Sequence, residues 1–487
     1  MWALKMAPRA FANCPGARCE PHRARSDLHA DQRRGLPLSP DGGKSMTVNR
    51  SSAATWLLVW MAATASCGGG GATPSPANGD AGADASGMLD AMAGDAGRPV
   101  ADGSSGDAAS GAPCSPVCPA GAVCVGGRCS CSGASFAAQA TYPAGPNGGF
   151  GISPFALTSG DFNGDGKPDL AVTTAGGHSV NVLMNQGSGA FAAPTEYALP
   201  AATAYAVAGD FNGDGKVDLA VTSRDPSLAG TLSVLLNRGD GTFAAPANYA
   251  DGTDAFGSVT AGDFNGDGAL DLAVATGGPL DVFINQGAGT FAAAAAYSDG
   301  SPSAAANVAI GDFNGDGKPD LAAGDPFRET VGVLLNQGSG TFAAPTHAYT
   351  VLPSPDGVAA GDFNGDGKPD LAVASDNDRV LSVLLNLGSG TFAAPATYSV
   401  GEAVSIAVGD LDGDGRPDLV VANDTGADVG VLLNQGSGAF GAQVTFAVGG
   451  VPTSVLVADF NGDGRPDLAA ANNMDGTVSV LLNDCRP

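Results

Sequence analysis

From Ser135 to the C-terminus, apolar and polar positions run through one short cycle, repeated along the chain. "AYAVAGDF" (204–211) alternates small apolar residues into an acidic turn, and "DLAVTS" (218–223), "TLSVLLN" (231–237) and "TFAAPANY" (242–249) follow it. Gly-rich breaks such as "RGDG" (238–241) separate these runs. Alternation with period two, bounded by Gly, Asn and Asp, predicts short half-buried strands. Each cycle holds four of them, and no segment sustains the 3.6-residue period of an amphipathic helix.

The cycle returns at Asp161, Asp210, Asp263, Asp312, Asp362, Asp410 and Asp459, a spacing of 48–53 residues. Repeats of that length with four strands each predict blades of a propeller. The expected fold is all-β: a seven-bladed β-propeller of four-stranded antiparallel blades over residues 135–487. The last strand of a unit often carries a proline after "FAA": Pro194, Pro246, Pro345 and Pro395. Proline removes a ladder donor, so that strand is expected at the outer edge. The seventh unit stops at "TVSVLLNDC" without its own last strand, whereas "SFAAQATY" (135–142) stands unmatched before the first. Joined, the two complete one blade, so an N-terminal strand is expected to close the ring.

The preceding residues have other compositions. Residues 1–45 hold eight of the 22 Lys and Arg and little apolar pattern, and are read as a mis-called start or a disordered extension. Residues 46–66 place Arg50 before an apolar run from Ala53 to Ala65, a secretory signal too short to span a bilayer comfortably. Residues 67–113 are dominated by Gly, Ala, Ser, Pro and Asp with Arg98 the single basic residue. Such a segment cannot bury enough surface to offset its ordering entropy, so a disordered tether is expected. Residues 114–134 carry Cys114, Cys118, Cys124, Cys129 and Cys131. In an exported chain, cysteines this dense predict disulfides rather than a zinc site. Five is odd, and Cys485 lies near the C-terminus, so one of the five, preferably Cys131, is expected to pair with it across the ring seam.

The net charge of −27 excludes the basic surface that nucleic-acid binding requires, and disfavours adhesion to anionic lipid. Much of this charge is concentrated in a repeated loop. In "DFNGDGKPD" (161–169), side-chain oxygens at positions 1, 3, 5 and 9 and the carbonyl at position 7 can surround one cation. Ca²⁺ takes six to eight hard oxygen ligands at about 2.3–2.6 Å and tolerates flexible loops. Gly164 and Gly166 permit the turns that aim those oxygens inward. The candidate ligands are Asp161, Asn163, Asp165, Lys167 and Asp169 in the first loop, then Asp210, Asn212, Asp214, Lys216 and Asp218 in the second. The third has Asp263, Asn265, Asp267, Ala269 and Asp271; the fourth Asp312, Asn314, Asp316, Lys318 and Asp320; the fifth Asp362, Asn364, Asp366, Lys368 and Asp370. The sixth has Asp410, Asp412, Asp414, Arg416 and Asp418, and the seventh Asp459, Asn461, Asp463, Arg465 and Asp467.

The residue at position 7 enters only through its carbonyl, so Ala269 is expected to be neutral there. The extra carboxylate Asp412 is expected to tighten the sixth site. An EF-hand would need Glu at position 12, where the first loop has Val172 inside a strand pattern. About seven Ca²⁺ ions are expected, and their +14 would bring −27 to −13.

These units resemble the FG-GAP/VCBS repeats of integrin α-subunit propellers and of many bacterial surface proteins, over roughly residues 135–487. The resemblance implies Ca²⁺ in the hairpin between the first and second strands of each blade, and ligand binding on the opposite face or between blades. "TASC" before glycines resembles a bacterial lipobox with Cys67 acylated, although Thr64 stands where that motif usually has Leu. It implies an exported outer-membrane or cell-surface lipoprotein, or else a secreted one, touching membrane only through the lipid. The cysteine spacing of 114–134 resembles the front of an EGF-like module without its last cysteine.

The variable loops are 223–230, 324–330, 375–379, 423–428 and 472–476, all expected on the face away from the acidic hairpins. Variable loops on a rigid ring are where binding usually resides. The propeller has only His178 and His347, no G-x-S-x-G nucleophile motif and no Trp. The reading is a monomeric, non-enzymatic binding or adhesion module for a protein or polysaccharide. The alternatives are a polysaccharide-acting, lyase-like propeller and a structural envelope protein.

Overall fold

The computed structural model describes residues 122–125, 128–131, 133–146, 153–224, 230–250, 257–276, 279–297, 307–344, 348–351 and 353–484. Every regular element among them is a strand. Seven four-stranded antiparallel sheets form the blades of a propeller, six of them with their strands side by side in chain order. Their innermost strands are Ser153–Gly160, Ala202–Gly209, Val259–Gly262, Val308–Gly311, Pro355–Gly361, Ala403–Gly409 and Pro452–Ala458.

The burial pattern explains the order. Second strands such as Asp169–Ala175 are buried at nearly every position, because neighbouring blades cover both of their faces. Fourth strands such as Thr195–Ala198 are mostly exposed and pair on one side only. Pro194, Pro246 and Pro395 immediately precede such outer strands, where a missing N–H costs no ladder bond. Pro345 lies outside the described residues.

The last blade is completed from the other end of the chain. Ala140–Pro143 pairs with Thr477–Leu481, with Tyr142 opposite Val478, so the N-terminal strand closes the ring. Three further contacts extend the seam: the bridge Phe136–Asn483, Ala137 N–H to the Leu482 carbonyl at 2.8 Å, and Asp484 N–H to the Ser135 carbonyl at 3.0 Å.

Apolar residues gather in seven clusters, each shared by two successive blades. Phe162, Val180 and Val182 of blade one meet Leu219, Val221, Leu235 and Phe243 of blade two. Across the closure, Phe460, Ala469 and Val478 meet Leu157, Leu170 and Leu183. The core therefore lies between blades. No single repeat can bury its apolar faces alone, which makes the ring the stable unit.

A separate two-stranded hairpin, Ala122–Val125 with Arg128–Cys131, sets Cys124 opposite Cys129 in register. The expected Cys131–Cys485 pairing, Cys114, Cys118, the acylation candidate Cys67 and the 1–45, 46–66 and 67–113 segments lie outside the described residues, wholly or at one partner.

Candidate metal centres

Each acidic loop joins the first strand of its blade to the second, so all seven occupy one side of the ring. In six of the seven loops a glycine precedes the first aspartate, Ala458 standing there in the seventh, and it brings this corner close to the next blade. A Cβ on Gly160 would stand 2.7 Å from Val217 Cγ1. The residue after that aspartate anchors the loop. Phe162, Phe211, Phe264, Phe313, Phe363, Leu411 and Phe460 are at most 1% exposed. Burying each is worth about 1.5–3 kcal/mol. Phe162 also meets Phe243 of the next blade edge-on, with centroids 5.5 Å apart. Past the anchor, Gly164 and Gly166 adopt φ of 74° and 80°, which a side chain would resist.

The carboxylates then organise the loop around themselves. Asp161 Oδ1 accepts the Asp165 N–H at 3.0 Å and Oδ2 the Gly166 N–H at 2.7 Å. Asn163 Oδ1 accepts the Asp165 N–H at 2.9 Å, and Asp165 Oδ1 accepts the Lys167 N–H at 3.0 Å. The same set recurs in the other loops, as with Asp362, Asn364 and Asp366. Side-chain oxygens from positions 1, 3 and 5 thus share one small turn.

The aspartate at position 9 has a second task that sequence reading missed. Asp169 is fully buried; its Oδ2 accepts the Phe162 N–H at 2.9 Å and its Oδ1 the Asn185 N–H at 2.7 Å. Asp218, Asp271, Asp320, Asp370, Asp418 and Asp467 make the corresponding pair of bonds. One carboxylate bolts the acidic loop to the end of the third strand, and each oxygen keeps a lone pair for a cation. Burial pushes the carboxyls of Asp169, Asp218, Asp320, Asp370 and Asp467 up to about 6, and that of Asp418 to about 7. Asp271 moves the same way. The two backbone N–H groups oppose the rise, and neighbouring loop carboxylates add to it.

The asparagine ending each "LLN"-type run is the other residue missed. Asn185 Nδ2 donates to the Pro168 carbonyl of its own blade at 3.0 Å and to the Phe460 carbonyl of the previous blade at 2.9 Å. Asn237, Asn285, Asn336, Asn386, Asn434 and Asn483 repeat the link to Phe162, Phe211, Phe264, Phe313, Phe363 and Leu411. Its recurrence in all seven units was the available signal. The tyrosines also act between blades. Tyr197 packs edge-on against Phe243 of the following blade at 5.2 Å and donates to the Gly241 carbonyl at 3.1 Å.

The donor set fits a hard divalent ion. In the sixth loop, oxygens of Asp410, Asp412 and Asp418 lie within 4.8 Å of one another. Ligands on opposite sides of an ion held at about 2.4 Å would be that far apart.

One other carboxylate group occurs among the described residues. Asp376, Glu402 and Asp424 bring oxygens within 4.8 Å of each other at the far ends of blades five and six. Arg379 Nε reaches Glu402 Oε1 at 3.0 Å. Burial, with the charges of Asp376 and Asp424 behind it, lifts the Asp356 carboxyl to about 7. Asp424 rises to about 6, first through burial. His178 is exposed in a tight turn at φ 43°, its carbonyl accepting the Leu199 N–H at 2.8 Å, and His347 is outside the described residues.

Together, the ring of between-blade cores and the acidic hairpins define a repeat propeller with one potential cation loop per blade. Six overlapping segments, residues 161–221, 210–274, 263–323, 321–373, 362–421 and 410–470, match the FG-GAP-like repeat, and the chain belongs to that family. No curated protein matches the chain. Among solved structures, BBS1N in complex with ARL6DN is similar at a TM-score of 0.51 and 12% identity, over 72% of this chain and 97% of that one. An Agrocybe aegerita lectin recognising non-reducing terminal N-acetylglucosamine aligns at 0.44 and 21%, over 68% of this chain and 86% of that one. Virginiamycin B lyase from Staphylococcus aureus aligns at 0.48 and 13%, over 71% and 99%.

Proposed function

We propose that this chain is a calcium-stabilised extracellular module that binds a protein or a polysaccharide. The observation that carries this reading is the division of the ring into two faces. One face is seven copies of a single acidic hairpin. The other carries the 2–3 loops and blade links, where the repeats differ in length and charge. A regular face serves stability and an irregular one serves recognition. The acidic group of Asp376, Glu402 and Asp424 with Arg379 lies on the irregular side. BBS1N, which shares the propeller fold, is seen in complex with another protein, ARL6DN. In this reading Ca²⁺ is held by positions 1, 3, 5 and 9 with the position 7 carbonyl. It joins loop carboxylates that would otherwise repel one another. The leader and lipobox-like residues direct export, with Cys67 the acylated residue.

Two measurements test the proposal. Chelation should lower the melting temperature and Ca²⁺ restore it, since each site at a hundred times its Kd contributes about 2.7 kcal/mol. An unchanged melting temperature removes calcium from the reading. The purified protein should then be screened against glycan and envelope-protein libraries, with Asp376→Asn, Glu402→Gln and Asp424→Asn as binding-face variants. Binding lost in these variants, with melting unchanged, supports recognition on this side. Depolymerisation of a polysaccharide by the wild type would replace binding with catalysis.

A further inference from the structure

The seven acidic loops are not electrically alike, and in the third the difference lies in a side chain that sequence reading treated as silent. Lys167 Nζ is 2.6 Å from Asp165 Oδ2, and Lys216, Lys318 and Lys368 make the same contact to Asp214, Asp316 and Asp366 at 3.0, 2.8 and 2.8 Å. Arg416 bonds Asp414 in the sixth loop, and Arg465 reaches Asp463 Oδ2 at 3.5 Å in the seventh. In the third loop Ala269 holds this position, and Asp267 Oδ2 accepts only the Asn265 amide, at 2.9 Å. Each loop therefore has a formal charge set by its carboxylates less its cation. This is −2 in the first, second, fourth, fifth and seventh, −3 in the third, and −3 in the sixth, where Asp412 offsets Arg416.

We propose that the net charge of each loop sets the order in which the loops take up divalent cation: the third, which lacks a cation at position 7, and the sixth, which gains Asp412 at position 3, fill before the other five. The proposal rests on the calcium reading above and adds a ranking to it. An ammonium held on the position 5 carboxylate lies within about 5–6 Å of any cation that carboxylate ligates, given ligand distances of about 2.3–2.6 Å. It repels that cation, and it competes for the same oxygen. At such separations, in water and with salt screening, the charge difference is worth roughly three- to tenfold in affinity. The lysines are partly exposed, about 41–44%, which keeps the effect at this scale rather than larger. Ala269, one of the two departures from the Lys/Arg-Pro pattern in its loop, thus acts as a specificity-determining residue through the charge it lacks.

Hydrogen exchange read peptide by peptide, during Ca²⁺ titration of the full chain, resolves each loop separately. Loop 263–271 should become protected at a Ca²⁺ concentration roughly three- to tenfold below that for loops 161–169, 210–218, 312–320 and 362–370. Ala269→Lys should raise its midpoint to theirs. Lys216→Met, which keeps the aliphatic stem over Gly239, should lower the midpoint of 210–218 by the same factor and leave the other loops in place. Equal midpoints for all seven loops, or an Ala269→Lys loop that does not move, would overturn the ranking while leaving calcium binding intact. Absence of Ca²⁺-dependent protection in every loop would overturn the calcium reading itself, and the ranking with it.

Discussion

Replacing Asn434 by Ala tests whether the ring is held by its asparagine links. Asn434 is 2% exposed; its Nδ2 donates to the Phe363 and Pro417 carbonyls at 3.0 Å each, and its Oδ1 accepts the Gly436 N–H at 2.9 Å. Truncation removes all three bonds and leaves buried groups without these partners. At about 1 kcal/mol net per bond, the expected loss is about 3 kcal/mol, a sizeable share of a typical domain's stability. Urea unfolding followed by tryptophan-independent far-UV signal, with Ca²⁺ held constant, gives the difference from the midpoint and slope. Asn434→Asp sharpens the test. It keeps the acceptor for Gly436 but aims a carboxylate at two carbonyls, so it should cost at least as much as Ala. If Asp is tolerated while Ala is not, the residue is only a turn former, and the between-blade link carries no stability. A loss below about 0.5 kcal/mol in both variants would refute the reasoning outright, since it is within the range of ordinary surface substitutions.

Tyr297→Phe removes the hydroxyl bond to the Gly340 carbonyl at 3.0 Å but keeps the ring against Phe342, so a loss of about 1 kcal/mol is expected in the same unfolding assay. The natural Phe446 already occupies this position in blade six, edge-on to Phe136. Gly160→Ala forces a Cβ to within 2.7 Å of Val217 Cγ1 and should cost about 1–3 kcal/mol by overpacking, read as a lower melting temperature. In Ca²⁺-free buffer, burial raises the carboxyls of Asp169, Asp218, Asp320, Asp370 and Asp467 from the ordinary 3.8 to about 6 in the fold. The folded state then binds more protons across this window. Stability is therefore expected to fall as pH rises from about 4 to about 6 and to level off above it. With Ca²⁺ the slope should reverse, because protons compete with the ion for the same carboxylates. Calorimetry at stepped pH with and without Ca²⁺ separates the two. Deleting residues 135–143 exposes the edge of Thr477–Leu481, and size-exclusion chromatography should then show strand-mediated association.

The sequence by itself determined the number of blades, their four strands, the outer position of the proline-bearing strand and the borrowed strand that closes the ring. Each of these is periodic or positional: the spacing near 49, the two-residue alternation and the orphaned "SFAAQATY" can be counted without coordinates. The acidic loops were equally legible, because their polar residues fall within nine consecutive positions and repeat in register. What only the tertiary structure decided are contacts between residues far apart in the chain. Asn185 bonds a carbonyl at 460, and Tyr197 reaches Gly241 in the next blade. The position 9 aspartate looked like one more ligand, but burial and two backbone donors make it a bolt as well. Ala269 looked neutral because position 7 was assigned only a carbonyl. The structure shows six side chains placing a positive charge on the neighbouring carboxylate, and one loop where none can. Local pattern fixes which residues form a strand or a turn. Partners across a blade interface depend on how the strands twist and stack, and sequence spacing carries no direct record of that.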